Sequence, residues 1–188
     1  LSVPSGEPFP VERETALLTE WLRPVPDGVY LDVGCSTALY ARALSSACPQ
    51  ARTVGLDISP GMLREAARKA ADEGRKVFLI QADAESLPFF ADSVDGVCMG
   101  GTLNELGKGA EQALRECRRV LKPGGRFFCM FLLESDRWQG RMLQEGAKLG
   151  GIRFWTEQES WELFQDAGFR VAGMETHGIV CFARLEAG

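Results

Sequence analysis

The chain has 188 residues, of which 45% are hydrophobic and 25% charged, and a formal net charge of −5. That length and balance fit one domain with a real core, since domains typically run ~100–200 residues. The acidic balance argues against a nucleic-acid surface, which needs clustered Lys and Arg, and no apolar stretch approaches the ~18–20 residues of a membrane-spanning helix.

The opening LSVPSGEPFP, which starts on Leu1, has neither the charged n-region nor the apolar h-region of a secretory signal. Val11–Leu22, bracketed by Pro10 and Pro24, reads as an amphipathic helix, giving an N-terminal helical segment over residues 1–24. Apolar runs follow at Val29–Val33, Thr53–Leu56, Val77–Ala82, Val94–Met99 and Arg126–Leu132. They are short and rich in Val, Leu, Ile and Phe, as strands buried on both faces of a parallel sheet must be. Helical patterns lie between them at Leu39–Ala47, at Pro60–Glu73 with Ser59 as N-cap, and at Glu111–Val120 ahead of the breaker KPGG. Strand-helix alternation of this kind predicts a three-layer, doubly wound α/β sheet.

The tail departs from the alternation. Residues 133–155 are too long for a plain connection and are expected to form a helical cap, with Trp138, Met142, Leu143, Phe154 and Trp155 beside Arg137 and Arg141. Such a cap would cover an apolar acceptor with a polar or anionic end; the plainer reading, preferred for Trp155, is core packing at the sheet edge. Thr156–Ala167 reads as a capped helix stopped by Gly168. FRVAGMET and IVCFARL are separated only by His177-Gly178, so the last two of seven strands must be an antiparallel hairpin. The whole chain, residues 1–188, is expected to be one domain. The six cysteines, Cys35, Cys48, Cys98, Cys117, Cys129 and Cys181, form no C-x-x-C pair and several sit in apolar runs. They read as buried thiols of a reducing compartment, hence a cytoplasmic protein, and not as a metal site.

In such sheets ligands bind beyond the carboxyl ends of the strands, where strand order reverses beside the first strand. The turn at that place lies in VYLDVGCSTALYARAL, which keeps Gly34 but has Ser36 and Ala38 where nucleotide-binding loops commonly have further glycines. Asp57 closes the second apolar run 23 residues after Gly34, near the ~20-residue offset at which an acidic group meets ribose hydroxyls. The competing role for Asp57 is a cap on the helix that begins at Pro60. Asp32, two residues before Gly34, the stretch Gln81–Ala84 closing the third strand, and the tail hairpin favour S-adenosyl-L-methionine over NAD as the ligand.

Four segments in order, LDVGCSTALYARAL, VGLDISPGMLREA, IQADAESLPFFADSVDGV and LRECRRVLKPGGRFF, resemble the class I S-adenosyl-L-methionine-dependent methyltransferases over Val29 to Phe128. The resemblance is to the methyltransferase type 11 branch, similar to ubiquinone/menaquinone C-methyltransferases. It implies a Rossmann-like fold, S-adenosyl-L-methionine as cofactor and methyl transfer to a small-molecule acceptor. The family's first motif usually reads Asp-x-Gly-x-Gly-x-Gly, and this chain departs from it at Ser36 and Ala38. Ser36 would either crowd the methionine end or donate to its carboxylate, while Ala38 adds a methyl at a helix start, where propensity favours it.

By the same resemblance, Asp32, Gly34, Cys35 and Ser36 line the methionine and ribose side, and Asp57 binds the ribose hydroxyls. Ile58 and Met62 pack on adenine, Asp83 and Ala84 meet its amino edge, and Gly100 borders the methyl group. Met62 as a core residue and Asp83 as a turn cap are the competing readings. No catalytic group is required, because the cofactor carries its own leaving group and positioning suffices. Asn104, Glu105 and His177 are the polar residues expected on the acceptor's rim, each with a bland alternative. A cofactor-binding regulatory or scaffolding protein is the alternative function, motivated by Ser36 and Ala38.

Overall fold

The computed structural model describes residues 9–188, so the first eight residues of the expected N-terminal segment lie outside it. The apolar runs become strands β1 Val29–Val33, β2 Arg52–Asp57, β3 Phe78–Gln81, β4 Val94–Gly100 and β5 Leu121–Leu132, followed by β6 Phe169–His177 and β7 Val180–Ala187. The helices are α1 Val11–Leu22, α2 Leu39–Ala47, α3 Pro60–Asp72, α4 Ala110–Val120, α5 Trp138–Leu149 and α6 Glu157–Asp166. One seven-stranded sheet runs in the order β3-β2-β1-β4-β5-β7-β6. The first five strands are parallel, and β7 is antiparallel to both β5 and β6. Strand order therefore reverses between β1 and β4, and the turns that follow these two strands stand together on the carboxyl rim.

Alternation along β5 shows how the sheet divides its two layers. Phe127, Cys129 and Phe131 pack in one buried cluster with Leu114 of α4 and Phe164 of α6. Phe128 faces the other side, among Leu18 and Leu22 of α1 and Tyr40 and Leu44 of α2. Period-two side-chain direction makes this inevitable once both faces are covered. Helix α4 buries Ala110, Ala113, Leu114, Cys117 and Val120, the spacing of a single apolar stripe. Local signals set the helix starts: Ser59 accepts from Met62 N–H at 3.3 Å ahead of α3, and Thr156 and Glu159 form a reciprocal capping box on α6.

Two boundaries differ from expectation for identifiable reasons. β5 starts at Leu121, with the turn Lys122–Gly125 looped out between the pairings Val94–Leu121 and Gly96–Arg126; Pro123 has no N–H to give a ladder and Gly124 takes φ +72°. The hairpin turns on Gly178-Ile179, because Gly178 takes φ +64° and His177 still pairs with Val180. All six cysteines are free and buried. Among the described residues no helix is long and apolar enough to cross a membrane.

Asn104 ties the rim together. It is 1% exposed in the short turn after β4; its Oδ1 accepts Leu132 N–H at 2.8 Å and its Nδ2 donates to the carbonyls of Leu132, at 3.0 Å, and Arg153. This side chain thus clamps β5 to the segment between α5 and α6, a role that neither reading of Asn104, acceptor-rim residue or helix-start polar residue, anticipates. Asn104→Ala leaves those backbone groups unpaired, and urea titration is expected to show a loss of about 2–4 kcal/mol. A loss below ~0.5 kcal/mol would mean that water replaces the clamp freely.

Candidate functional site

The turn after β1 is built against the turn after β4. Gly34 takes φ +66°, and a Cβ there would fall 2.2 Å from Thr102 Oγ1, the hydroxyl that donates to the Gly34 carbonyl at 3.1 Å. Glycine is needed at this position for conformation and for space. The chain then bends through Ser36 at φ +48° and Ala38 at φ +57°, a region that costs a residue with a Cβ roughly 1–2 kcal/mol. Ala38 is the N-cap of α2 and not its first helical residue, so helix propensity gives it nothing, contrary to expectation.

Two aspartates hold this strained turn. Asp32 Oδ2 accepts Ala41 N–H at 3.0 Å. Asp57 accepts Ser36 N–H on Oδ2 and Ser59 N–H on Oδ1, both at 2.8 Å. Asp57 thus fixes both the start of α3 and the turn after β1. Both of its oxygens already hold backbone: the bond to Ser59 N–H accords with its competing reading as a cap, and the bond to Ser36 N–H is one the sequence did not suggest.

Two cavities open along this turn. The first, of about 520 Å³, is lined by Asp57, Ile58, Met62, Asp83, Ala84 and Glu105 among others. The second, of about 290 Å³, is lined by Glu14, Asp32, Cys35, Thr37, Tyr40 and Met130. Gly34, Ser36 and Gly100 line both, so the two lie side by side along the turn. All ten cofactor-binding residues expected from the sequence thus border one cavity or the other. Met62 and Ile58 are 45% and 68% exposed; α3 buries Ala66 and Ala70 instead, so Met62 is no core residue. Ser36 Oγ lies 3.6 Å from Met62 Sδ. Asp83 Oδ1 accepts Glu85 N–H at 2.9 Å, so a turn-capping contact also exists.

Electrostatics give the site its character. Asp57, Asp83, Glu85 and Glu105 line the first cavity and Glu14 and Asp32 the second, while among the described residues no Lys, Arg or His lines either. Burial pushes the Asp32 carboxyl up to about 7, with the Ala41 N–H opposing and the Asp57 charge adding to the rise. Burial also raises the Glu14 carboxyl, against the Tyr40 hydrogen bond, and lifts the Cys35 thiol far out of reach of ionisation. A space rimmed by carboxylates suits a ligand bearing hydroxyls and positive charge and suits a pyrophosphate poorly. Two adjoining cavities of this size and polarity have room for a ligand with a nucleoside end and an amino-acid end.

The structure leaves other residues outside. Trp138, Met142, Leu143, Phe154, Trp155, Asn104 and His177 line neither cavity. Trp155 is core at 2% exposure, and Trp138, Met142 and Leu143 of α5 are exposed. His177 bonds Glu175 at 2.6 Å and packs under Phe9 on the far edge strand. Missed from the sequence were Glu14, Tyr40, Thr37 and Met130. The available signal for Glu14 was its place, four residues before Leu18 and eight before Leu22, on the stripe that α1 buries. No cluster of three potential metal ligands occurs among the described residues.

Residues 31–129 match the methyltransferase-domain family, Methyltransf_11. The chain belongs to this family of class I S-adenosyl-L-methionine-dependent methyltransferases, in the branch that includes the ubiquinone/menaquinone C-methyltransferases. It is 38% identical over 104 residues to the ubiquinone/menaquinone biosynthesis C-methyltransferase of Syntrophotalea carbinolica, covering 55% of this chain and 43% of that one. With the demethylmenaquinone methyltransferase of Staphylococcus carnosus it shares 34% identity over 148 residues, 74% of this chain and 59% of the other. The chain spans about half the length of the curated relatives it matches. The fold superimposes with TM-score 0.81 and 12% identity on geranyl diphosphate C-methyltransferase from Streptomyces coelicolor, solved with Mg2+, geranyl diphosphate and S-adenosyl-L-homocysteine, covering 94% of this chain and 80% of that one.

Two outcomes follow from the turn. Ala38→Gly relieves the left-handed strain at an unchanged backbone and is expected to stabilise by about 1 kcal/mol, net of the added chain entropy, which is a rise of about 2–4 °C in melting temperature for a domain this size. A lower melting temperature would show that the Ala38 methyl, which is fully buried, contributes more than its backbone costs. Asp32 offers a pH test. Its carboxyl titrates near 7 in the fold against an ordinary value of 3.8, so folding takes up a proton between those values and stability falls as pH rises through that window. Asp32→Asn removes this penalty while keeping an acceptor for Ala41. The variant's stability relative to wild type is expected to grow by about 1.4 kcal/mol per pH unit between roughly pH 5 and 7; a flat difference would contradict it.

Proposed function

We propose that this domain transfers the methyl group of S-adenosyl-L-methionine to a small-molecule acceptor. The observation that carries the reading is the pair of adjoining cavities at the strand-order reversal, lined by carboxylates and, among the described residues, by no basic side chain. When bound, the cofactor supplies a methyl group on a positively charged sulfur that departs as a neutral thioether. In this reading Asp57 holds the ribose hydroxyls with the lone pairs left over from its two backbone bonds. Ile58 and Met62, exposed beside the first cavity, cover the adenine, and Asp83 with Ala84 meets its amino edge. Asp32, Gly34, Cys35 and Ser36 flank the ribose and methionine side, and Gly100 borders the methyl group.

The chain's own contribution is then alignment and exclusion of water, with no proton to move at the sulfur. For the acceptor, Leu106 and Met130 give apolar wall beside Gly100. Residues 133–155 are proposed as its cap, because α5 follows β5 at the same rim and leaves Trp138, Met142 and Leu143 exposed. An apolar molecule with a polar end fits this surface, and the two relatives named above, a ubiquinone/menaquinone biosynthesis C-methyltransferase and a demethylmenaquinone methyltransferase, agree with that class. The six free buried thiols support a reducing, cytoplasmic setting. A purely regulatory role is not favoured, since the matching family is a methyltransferase domain and the curated relatives named above are methyltransferases.

Calorimetric titration of the protein with S-adenosyl-L-methionine, S-adenosyl-L-homocysteine and NAD tests this. Saturable binding of the first two and none of NAD is expected; the reverse result overturns the assignment. Asp57→Ala is expected to weaken S-adenosyl-L-homocysteine at least tenfold through lost charge-assisted bonds, each worth about 1.5–3 kcal/mol, and to lower the melting temperature without ligand. Unchanged affinity would move the ribose elsewhere.

A further inference from the structure

Helix α1 lies outside the residues that match the family, yet one of its side chains enters the site. Glu14 sits on the buried stripe of α1 with Leu18 and Leu22 and is 8% exposed. Its Oε1 accepts the hydroxyl of Tyr40, while Oε2 accepts no hydrogen bond among the described residues. The Tyr40 ring stands against the carboxyl end of β4, since a Cβ on Gly100 would fall 2.9 Å from its Cε2. Glu14 and Tyr40 therefore wall the second cavity where it passes Gly100, and Asp32, 2% exposed, lines the same space.

Neither Glu14 nor Asp32 forms an ion pair among the described residues. A buried carboxylate without a cation is costly, and the usual relief is a positive partner or protonation. Burial indeed raises both carboxyls, which marks the site without ligand as short of positive charge. At Thr37 the polarity is opposite: its carbonyl accepts Arg42 Nε at 3.3 Å and its hydroxyl accepts Lys69 Nζ at 3.4 Å. A cavity with carboxylates on one part of its wall and cations behind another matches an α-amino acid zwitterion, and its neighbour through Gly34 and Ser36 has room for a nucleoside.

We propose that Glu14 is a cofactor-binding residue whose free oxygen, together with Asp32, receives the ammonium group at the amino-acid end of S-adenosyl-L-methionine, so that α1 completes the site. The inference rests on the cofactor reading given above. It assigns Tyr40 the task of positioning Glu14, by fixing one carboxylate oxygen and leaving the other for the ligand.

The test uses ligands that differ only at that end. Glu14→Gln keeps the shape and an acceptor for Tyr40, and removing a buried charge is expected to leave the melting temperature equal or higher. Wild type and variant are titrated with S-adenosyl-L-homocysteine and with 5′-methylthioadenosine, which lacks the amino-acid group. The expected result is at least a tenfold loss for S-adenosyl-L-homocysteine and less than a twofold change for 5′-methylthioadenosine. Equal loss for both ligands, or none for either, overturns the proposal. Tyr40→Phe gives a second reading independent of the carboxylate: a smaller loss, again confined to S-adenosyl-L-homocysteine, is expected, and an equal loss for 5′-methylthioadenosine contradicts the positioning role. If wild type binds neither ligand, it is the cofactor reading that falls, an outcome separate from a Glu14 variant that behaves like wild type.

Discussion

The site depends on one carboxylate holding two backbone amides. Asp57 closes β2 and takes the N–H groups of Ser36 and Ser59 at equal distance, so the turn after β1 and the entrance to α3 are fixed to a common point. Everything that lines the first cavity from this side inherits its place from that contact: Ser36 above, Ile58 and Met62 beside. Charge-assisted bonds of this type are about twice as strong as neutral ones, and that strength balances the left-handed backbone at Ser36. The same atoms cannot be divided into structural and functional. A carboxylate with both oxygens fixed by amides is also immobile, and immobility is what a ligand-orienting group needs.

The second constraint is charge without compensation. Six carboxylates line two adjoining cavities that, among the described residues, contain no basic side chain, and two of these carboxylates are more than nine-tenths buried. Such an arrangement lowers the stability of the empty protein as pH rises and returns that free energy when a cation enters. The pattern is selective for the cofactor's charged form: a positively charged sulfur and ammonium gain from it, whereas a pyrophosphate would be repelled. It also explains why an α/β domain of this topology need not carry a dinucleotide.

Legibility in the sequence followed the physics of each feature. The strands could be read because burial on both faces demands continuous apolar runs, and the place of the Gly34 turn and Asp57 because ligands of such sheets bind at the carboxyl ends where strand order reverses; the other cavity residues came from the resemblance to the family's motifs. Glu14 was hidden for the opposite reason. An acidic residue in the first turn of a helix is normally a dipole-favoured surface group, and only its alignment with Leu18 and Leu22 distinguishes it. Asn104 was read as a polar residue near the acceptor because sequence carries no trace of a side chain that binds main chain 28 and 49 residues away. The turn at Gly178 shifted by one residue because the strand pattern weakens at its end and backbone angle alone decided it.

The replacement of glycines by Ser36 and Ala38 now has a physical account that reconciles a departing motif with a formed site. Glycine's benefit at these two positions is freedom to take positive φ, and that benefit is conformational, amounting to about 1–2 kcal/mol per residue. At Gly34 the demand is different in kind, because a Cβ there would collide with Thr102 and no hydrogen bond offsets a clash with packed atoms. The first position is therefore fixed sterically and the next two only energetically. Ser36 places its hydroxyl 3.6 Å from Met62 Sδ, and Ala38 buries its methyl completely beside Cys35, Ala41 and Ala66. Each substitution thus brings a local contact to set against its strain, and the path of the backbone, which is what lines the two cavities, is kept.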